Sequence, residues 1–173
     1  VAFAAGSRLQ TRNVASAPAD PGQAQANRKG DALVTIFSHD PLYWAFSTVL
    51  KKQLVGLMGA DNAVLSDLAP PQRQLVDDVI AFMNPVVPRA AGVALDNRAE
   101  LPNGRIAAIR APTLILHAAD DGLQRYHNAE FAAATIPHAR LVRFEHGGHL
   151  LMAVEQASVR EQVQSFILAS AGG

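Results

Sequence analysis

The stretch from Ala111 to Ala169 constrains the fold more than any other part of the chain, because two runs suited to strands alternate with two stretches suited to helices. The first run, Ala111-Pro112-Thr113-Leu114-Ile115-Leu116-His117-Ala118, is apolar and β-rich at its centre. Its proline cannot donate to a ladder, so it opens the strand, and the unbroken apolar character predicts burial on both faces. The second run, Ala139 to Glu145 (ARLVRFE), roughly alternates apolar and charged residues at period two. Between them Asn128 to Ile136 predicts a helix with Asn128 as N-cap and Pro137 as stop. Beyond them Val154 to Ala169 predicts another, with Val154, Ala157, Val159, Val163, Phe166 and Ile167 as an approximate stripe. This order describes a parallel β-α-β unit, whose right-handed crossover brings both strand ends to one edge of the sheet.

What stands at those ends is chemically pointed. After the first run comes Ala119-Asp120-Asp121-Gly122, and after the second His146-Gly147-Gly148-His149. Ligand sites in open parallel sheets lie beyond the carboxyl ends of the strands. A neutral imidazole, with an unperturbed pKa of about 6.5, can take a proton from a hydroxyl and return it to a leaving group. A buried carboxylate on its other nitrogen fixes the tautomer and stabilises the imidazolium. Asp121 and His149 are therefore the candidate acid and base. The competing reading of Asp121 is a turn carboxylate that binds local backbone, with Asp120 as the alternative acid. For His149 it is a surface or helix-capping histidine.

These residues resemble the α/β-hydrolase fold superfamily, in its esterase-like branch. The superfamily's acid follows a pattern like PTLxxHGxxDxxxP, matched by Pro112 to Asp121 with Ala118 in place of the usual glycine and no proline at Gln124 or Arg125, and its histidine follows a glycine as Gly148-His149 does. The likeness covers about 105–169. It implies an α/β fold, namely the C-terminal part of a hydrolase sheet of parallel strands and crossover helices, with a helical cap insertion. It also implies a nucleophile-His-Asp mechanism on carboxylic esters or similar acyl substrates, without cofactor.

The superfamily's nucleophile sits on a strained strand-to-helix turn, commonly G-x-S-x-G, upstream of the acid. None of Ser7, Ser16, Ser38, Ser47, Ser66, Ser158, Ser165 or Ser170 has that setting, and no oxyanion-hole HGGG or HG precedes them. The beginning, Val1 to Ser7, reads as the end of a buried strand. The expectation is a C-terminal portion whose partner is an N-terminal segment or chain carrying the nucleophile. Relatives in which aspartate or cysteine replaces serine, C–C hydrolases, and non-catalytic ligand- or partner-binding proteins remain alternatives.

Before the strands, Ala15 to Gly30 is rich in Ala, Pro, Gln, Asn and Gly and predicts a loop. A helix is predicted from Ser38 to Met58, capped by Ser38 or Asp40 with Pro41 in its first turn, and another from about Pro71 to Met83, stopped by Asn84-Pro85. The domain reading is 1–30 for the end of a core strand and a loop, 31–104 for a helical cap, and 105–173 for the core. Caps supply the apolar wall of such sites; Trp44, Phe46, Met83 and Leu150 are the candidate contacts to a small apolar acyl group. Arg8 and Arg12 could meet an acidic group, although loop arginines usually face solvent.

Composition narrows the rest. Fifteen basic and fifteen acidic residues cancel, which argues against nucleic acid as a partner. No apolar run reaches the roughly 18 residues of a membrane span. With no cysteine, the chain has no disulfide and no thiol nucleophile of its own. His146 and His149 at HxxH spacing, with His117 and His127, lack the i, i+4 helical spacing and glutamate of a zincin, so no metal is expected. Nothing in the sequence specifies a compartment.

Overall fold

The computed structural model describes residues 22–96 and 104–171. Val1 to Ser7, Arg8, Arg12 and the first part of the expected loop lie outside the described residues. The helices before the strands are α1 (Gln23–Ile36), α2 (Asp40–Thr48), α3 (Lys51–Leu57), α4 (Asn62–Ser66), α5 (Pro70–Phe82) and α6 (Ala90–Asp96). Then come β1 (Leu114–Ala118), α7 (Tyr126–Thr135), β2 (Arg140–Phe144), α8 (Leu151–Val154) and α9 (Gln156–Ala171).

The two strands pair in parallel, from Leu114 against Arg140 to Ala118 against Phe144. The ladder continues one step further, where the Ala119 N–H donates to the Phe144 carbonyl at 2.7 Å. The acid turn and the histidine turn therefore leave the sheet at the same edge, as the β-α-β reading requires. Asn128 is not the cap of α7. The helix starts at Tyr126 with Arg125 at the N-cap position, and Asn128 is buried inside its first turn.

Four further expectations about the helices change. Residues 23–30 are no loop: α1 runs through them, and the expected 1–30 boundary falls within that helix. The helix expected over Ser38–Met58 is two, broken at Val49–Leu50. The break explains the excess of apolar residues, since the separate helices bury Tyr43 on one and Leu54 and Val55 on the other, while Val49 at the break is exposed. Neither proposed residue caps α2. Ser38 Oγ donates to the Val34 carbonyl, and His39 holds the N-cap position. Asp40 Oδ1 instead accepts from the Val86 N–H at 2.6 Å and the Val87 N–H at 3.0 Å, tying the start of α2 to the chain beyond α5. The C-terminal helix is likewise divided at Glu155, so that Val159 and Val163 pack inward but Ala157 and Ile167 are exposed.

One apolar core joins the two regions. Leu33, Ile36, Tyr43, Leu54, Val55, Met58, Val76 and Ile80 of the helical segment form a cluster with Leu123, Leu150, Ala153 and Val154. Leu123 lies in the acid turn and Leu150 follows His149, so burying this cluster presses the helical segment onto both strand-end turns. At its centre Tyr43 is fully buried, and its hydroxyl donates to the Ile80 carbonyl. Burial pushes its pKa up to about 12. Polar bonds join the same regions. The Gln72 side chain accepts from the Ala69 N–H at the start of α5 and donates to the Val154 carbonyl at the end of α8.

Candidate active site

The site begins with the two turns. After β1 the Asp121 N–H donates to the Ala118 carbonyl at 3.3 Å, closing a tight turn. Asp121 then uses its two carboxylate oxygens differently. Oδ1 accepts from the Leu123 and Gln124 N–H groups, each at 2.8 Å, while Oδ2 faces His149 Nδ1 at 3.2 Å. The carboxylate is only 4% exposed, so these partners replace water. One oxygen thus makes the turn and the other meets the imidazole.

After β2 the chain turns through Gly147 at φ 124° and Gly148 at φ 51°. Side chains with a Cβ rarely adopt such angles, which explains why glycines occupy both positions. Asp120 stabilises this turn: its Oδ1 accepts from the Gly148 N–H at 2.9 Å and its Oδ2 from the Gly147 N–H at 3.3 Å. The adjacent carboxylates split the work, Asp121 meeting the imidazole and Asp120 holding the turn that carries it.

His149 is one-third exposed. With Nδ1 against the carboxylate, Nε2 is the ring nitrogen left to face a reactant. Hydrogen positions follow from partners, and a carboxylate opposite Nδ1 favours the Nδ1–H tautomer. This pair can orient a neutral imidazole, receive a proton on Nε2 and stabilise the resulting cation.

A second imidazole stands nearby. His117, on β1, is half-buried and meets the Tyr126 ring edge-on at 5.8 Å. Burial holds its pKa below the ordinary 6.5; the Asp121 carboxylate opposes that effect and His149 adds to it. The folded state therefore binds this proton less readily than the unfolded state. The associated stability is complete above about pH 6.5 and declines as pH falls from there toward the depressed folded value. Between pH 7 and 5 the wild type is expected to lose more melting temperature than His117→Gln, measured by thermal unfolding; identical slopes would remove His117 from the pH response.

The other candidate residues are distributed unevenly. Leu150 is buried in the core cluster directly behind His149, and Phe46 and Met83 pack partly buried against that cluster. Trp44 stands apart from it, 56% exposed. His146 is exposed and lies 3.6 Å from Asp120 Oδ2. Among the described residues no group of three or more His, Cys, Asp or Glu is arranged to hold a metal ion. No helix among them is long and apolar enough to cross a membrane alone.

The sequence reading missed Gly59 as well as the role of Asp120. Gly59 follows α3 at φ 77°, and its N–H donates to the Gly56 carbonyl while the Ala60 N–H donates to the Val55 carbonyl. This is the Schellman ending of a helix, for which glycine at that position is the usual sequence signal.

Comparison with known proteins follows the same lines. The family model described as the alpha/beta hydrolase fold matches residues 67–156, a span that includes both turns. Among solved structures, an esterase (EaEST) from Exiguobacterium antarcticum is similar, with a TM-score of 0.56 and 19% identity over 82% of this chain and 48% of its own. A hydrolase from Pseudomonas aeruginosa PA01 is similar at TM-score 0.58 and 23% identity, over 86% of this chain and 51% of its own. This chain thus spans about half the length of these structures. At such identities the likeness concerns the fold. A search of curated proteins finds no significant match.

Proposed function

This chain belongs to the α/β-hydrolase fold family, and we propose that within that fold it supplies the acid and the base of a nucleophile-His-Asp site that cleaves carboxylic esters or similar acyl compounds. One observation carries the reading: the buried Asp121 Oδ2 lies 3.2 Å from His149 Nδ1, beyond the ends of paired parallel strands. The nucleophile belongs to a separate, N-terminal segment of the protein, since no serine of this sequence has the G-x-S-x-G setting.

In this mechanism His149 Nε2 takes the proton of the nucleophile as that group attacks the acyl carbon. The same nitrogen then gives the proton to the departing alkoxide, which leaves as an alcohol while the acyl group stays on the nucleophile. Water repeats the sequence: His149 removes its proton, the hydroxide adds to the acyl carbon, and the proton returns to the nucleophile as the carboxylic acid departs. Asp121 remains ionised throughout, holding the imidazole in place and offsetting its positive charge. The helical segment acts as the cap, with Phe46, Met83 and Leu150 as apolar backing for a small acyl group and Trp44 at its outer surface.

Acyl trapping tests this assignment. The complete protein is treated with p-nitrophenyl acetate, quenched in acid and mapped by peptide mass spectrometry. The expected acetyl adduct lies on a residue outside these 173 positions. An adduct on a serine of this chain, or ester turnover with no covalent adduct at any quench time, would overturn it.

A further inference from the structure

The two turns of the site do not meet through their side chains alone. Between them lies the peptide that joins Gly59 to Ala60, delivered from the helical segment. The Gly59 carbonyl accepts the Gly122 N–H at 3.2 Å, on the acid turn. A Cβ placed on Gly59 would stand 2.6 Å from Leu123 N, 2.8 Å from Gly122 N and 3.0 Å from Asp121 Oδ1. On the other side, a Cβ placed on Gly148 would stand 2.4 Å from the Gly59 carbonyl oxygen and 2.7 Å from Ala60 Cα. Three glycines therefore converge, one from the acid turn, one from the histidine turn and one from the end of α3.

We propose that the Gly59–Ala60 peptide is a positioning element of the acid and base pair, setting the separation of the Asp121 turn from the Gly147-Gly148 turn, so that docking of the helical segment governs the Asp121–His149 contact. This rests on the acid and base reading given above. The magnitudes make the contact sensitive. At 3.2 Å the Nδ1 to Oδ2 distance is at the long end of the N–H···O range, so a further shift of a few tenths of an ångström removes the bond. A Cβ at Gly59 would need Leu123 N to retreat by about 0.8 Å to reach ordinary contact. Leu123 N is bonded to Asp121 Oδ1, so the carboxylate moves with it. The positive φ of Gly59 adds strain for any other residue.

The strand ends alone would not provide this coupling. They fix where each turn begins, whereas the Asp121 and His149 side chains lie three and five residues beyond Ala118 and Phe144. Leu123 and Leu150, which flank the pair, are buried in the same cluster as Val55 and Met58 of the α3 region, so the core presses the peptide into place. A helical segment that shifts relative to the sheet would loosen the imidazole and the carboxylate together.

The test compares Gly59→Ala with Gly56→Ala in the complete protein. Gly56 lies one helical step earlier, and a Cβ there meets only Asn62 Nδ2 at 3.9 Å, an ordinary contact. Two readouts are taken: the Nδ1–H resonance of His149, and kcat and KM for p-nitrophenyl acetate. Gly59→Ala is expected to lose the bonded Nδ1–H resonance and to lower kcat on the order of 10²-fold with KM within about twofold, while Gly56→Ala keeps both. Retention of the resonance in a folded Gly59→Ala overturns the proposal. If the complete protein turns over no ester, the resonance still decides this point while the reaction assignment falls by itself. Should Gly59→Ala not fold, hydrogen exchange in the wild type decides: the Gly122 amide, which donates to the Gly59 carbonyl, is expected to open together with the Nδ1–H of His149, and a protected Nδ1–H while Gly122 exchanges freely contradicts it.

Discussion

Replacing His149 by alanine in the complete protein is expected to lower kcat for short acyl esters by on the order of 10⁴-fold or more while leaving the fold intact. The effect is large because in the proposed mechanism the imidazole acts twice, as base toward the nucleophile and as acid toward the leaving alcohol. His117 lies close enough to interact electrostatically with His149, but burial disfavours its protonated form. Stability should fall by no more than about 1–3 kcal/mol, the cost of leaving the buried Asp121 Oδ2 without its imidazole partner, since the His149 ring is one-third exposed and the adjacent Leu150 carries the packing. Steady-state kinetics with thermal unfolding of the same preparation checks both halves. Retained turnover removes His149 from the mechanism; lost turnover with a collapsed melting transition makes it a structural residue.

Asp121→Asn is the second change with a large expected effect, and it is more informative than alanine. Alanine would leave the Leu123 and Gln124 N–H groups without their acceptor, at a cost of about 1–3 kcal/mol for each buried group left unpaired. Lost activity would then have two explanations. Asparagine keeps a carbonyl oxygen in the Oδ1 position and changes only what faces the imidazole. An amide NH₂ opposite Nδ1 requires that nitrogen to accept, which moves the ring proton to Nε2, where it blocks general-base catalysis. The expected result is a fall in kcat on the order of 10⁴, the size seen for the corresponding change in a serine protease, with little change in KM and a near wild-type melting temperature. A tenfold loss or less would mean that the carboxylate only shapes the turn.

The two chemistry-bearing turns were readable in the sequence because each rests on local signals. An apolar β-rich run ending in Asp120-Asp121-Gly122, and an alternating run ending in His146-Gly147-Gly148-His149, fix the carboxyl ends of the strands within a residue. The parallel pairing then follows from chain order. What the sequence could not divide was the labour between Asp120 and Asp121. Both are carboxylates in one turn, and the difference lies in direction: one side chain points across to the glycine turn and the other toward the imidazole.

The helical segment was harder to read for a related reason. Its apolar residues serve two contacts, between helices and onto the strand-end turns, so no single stripe describes them. Periodicity merged α2 and α3 into one helix where Val49 and Leu50 break the chain. The polar residues that cap position suggests are engaged elsewhere, Asp40 with Val86 and Val87 and Asn128 within the buried face of α7. Helix α1 was hidden because Gln, Asn, Ala and Gly at its start resemble loop composition, while the apolar residues that anchor it, Leu33 and Ile36, come at its end. Gly59 carried the ordinary sign of a helix terminus, but its contact with both turns depends on tertiary packing alone.

Long-range ¹H–¹⁵N correlation of the His149 ring in the complete protein tests whether Asp121 holds His149 as a base with Nε2 free. Spectra are recorded near pH 9, well above the ordinary imidazole value of about 6.5. The proton is expected on Nδ1, hydrogen-bonded to Asp121, and on Nε2 in Asp121→Asn. An Nε2–H tautomer in the wild type, or a spectrum that Asp121→Asn leaves unchanged, would contradict it.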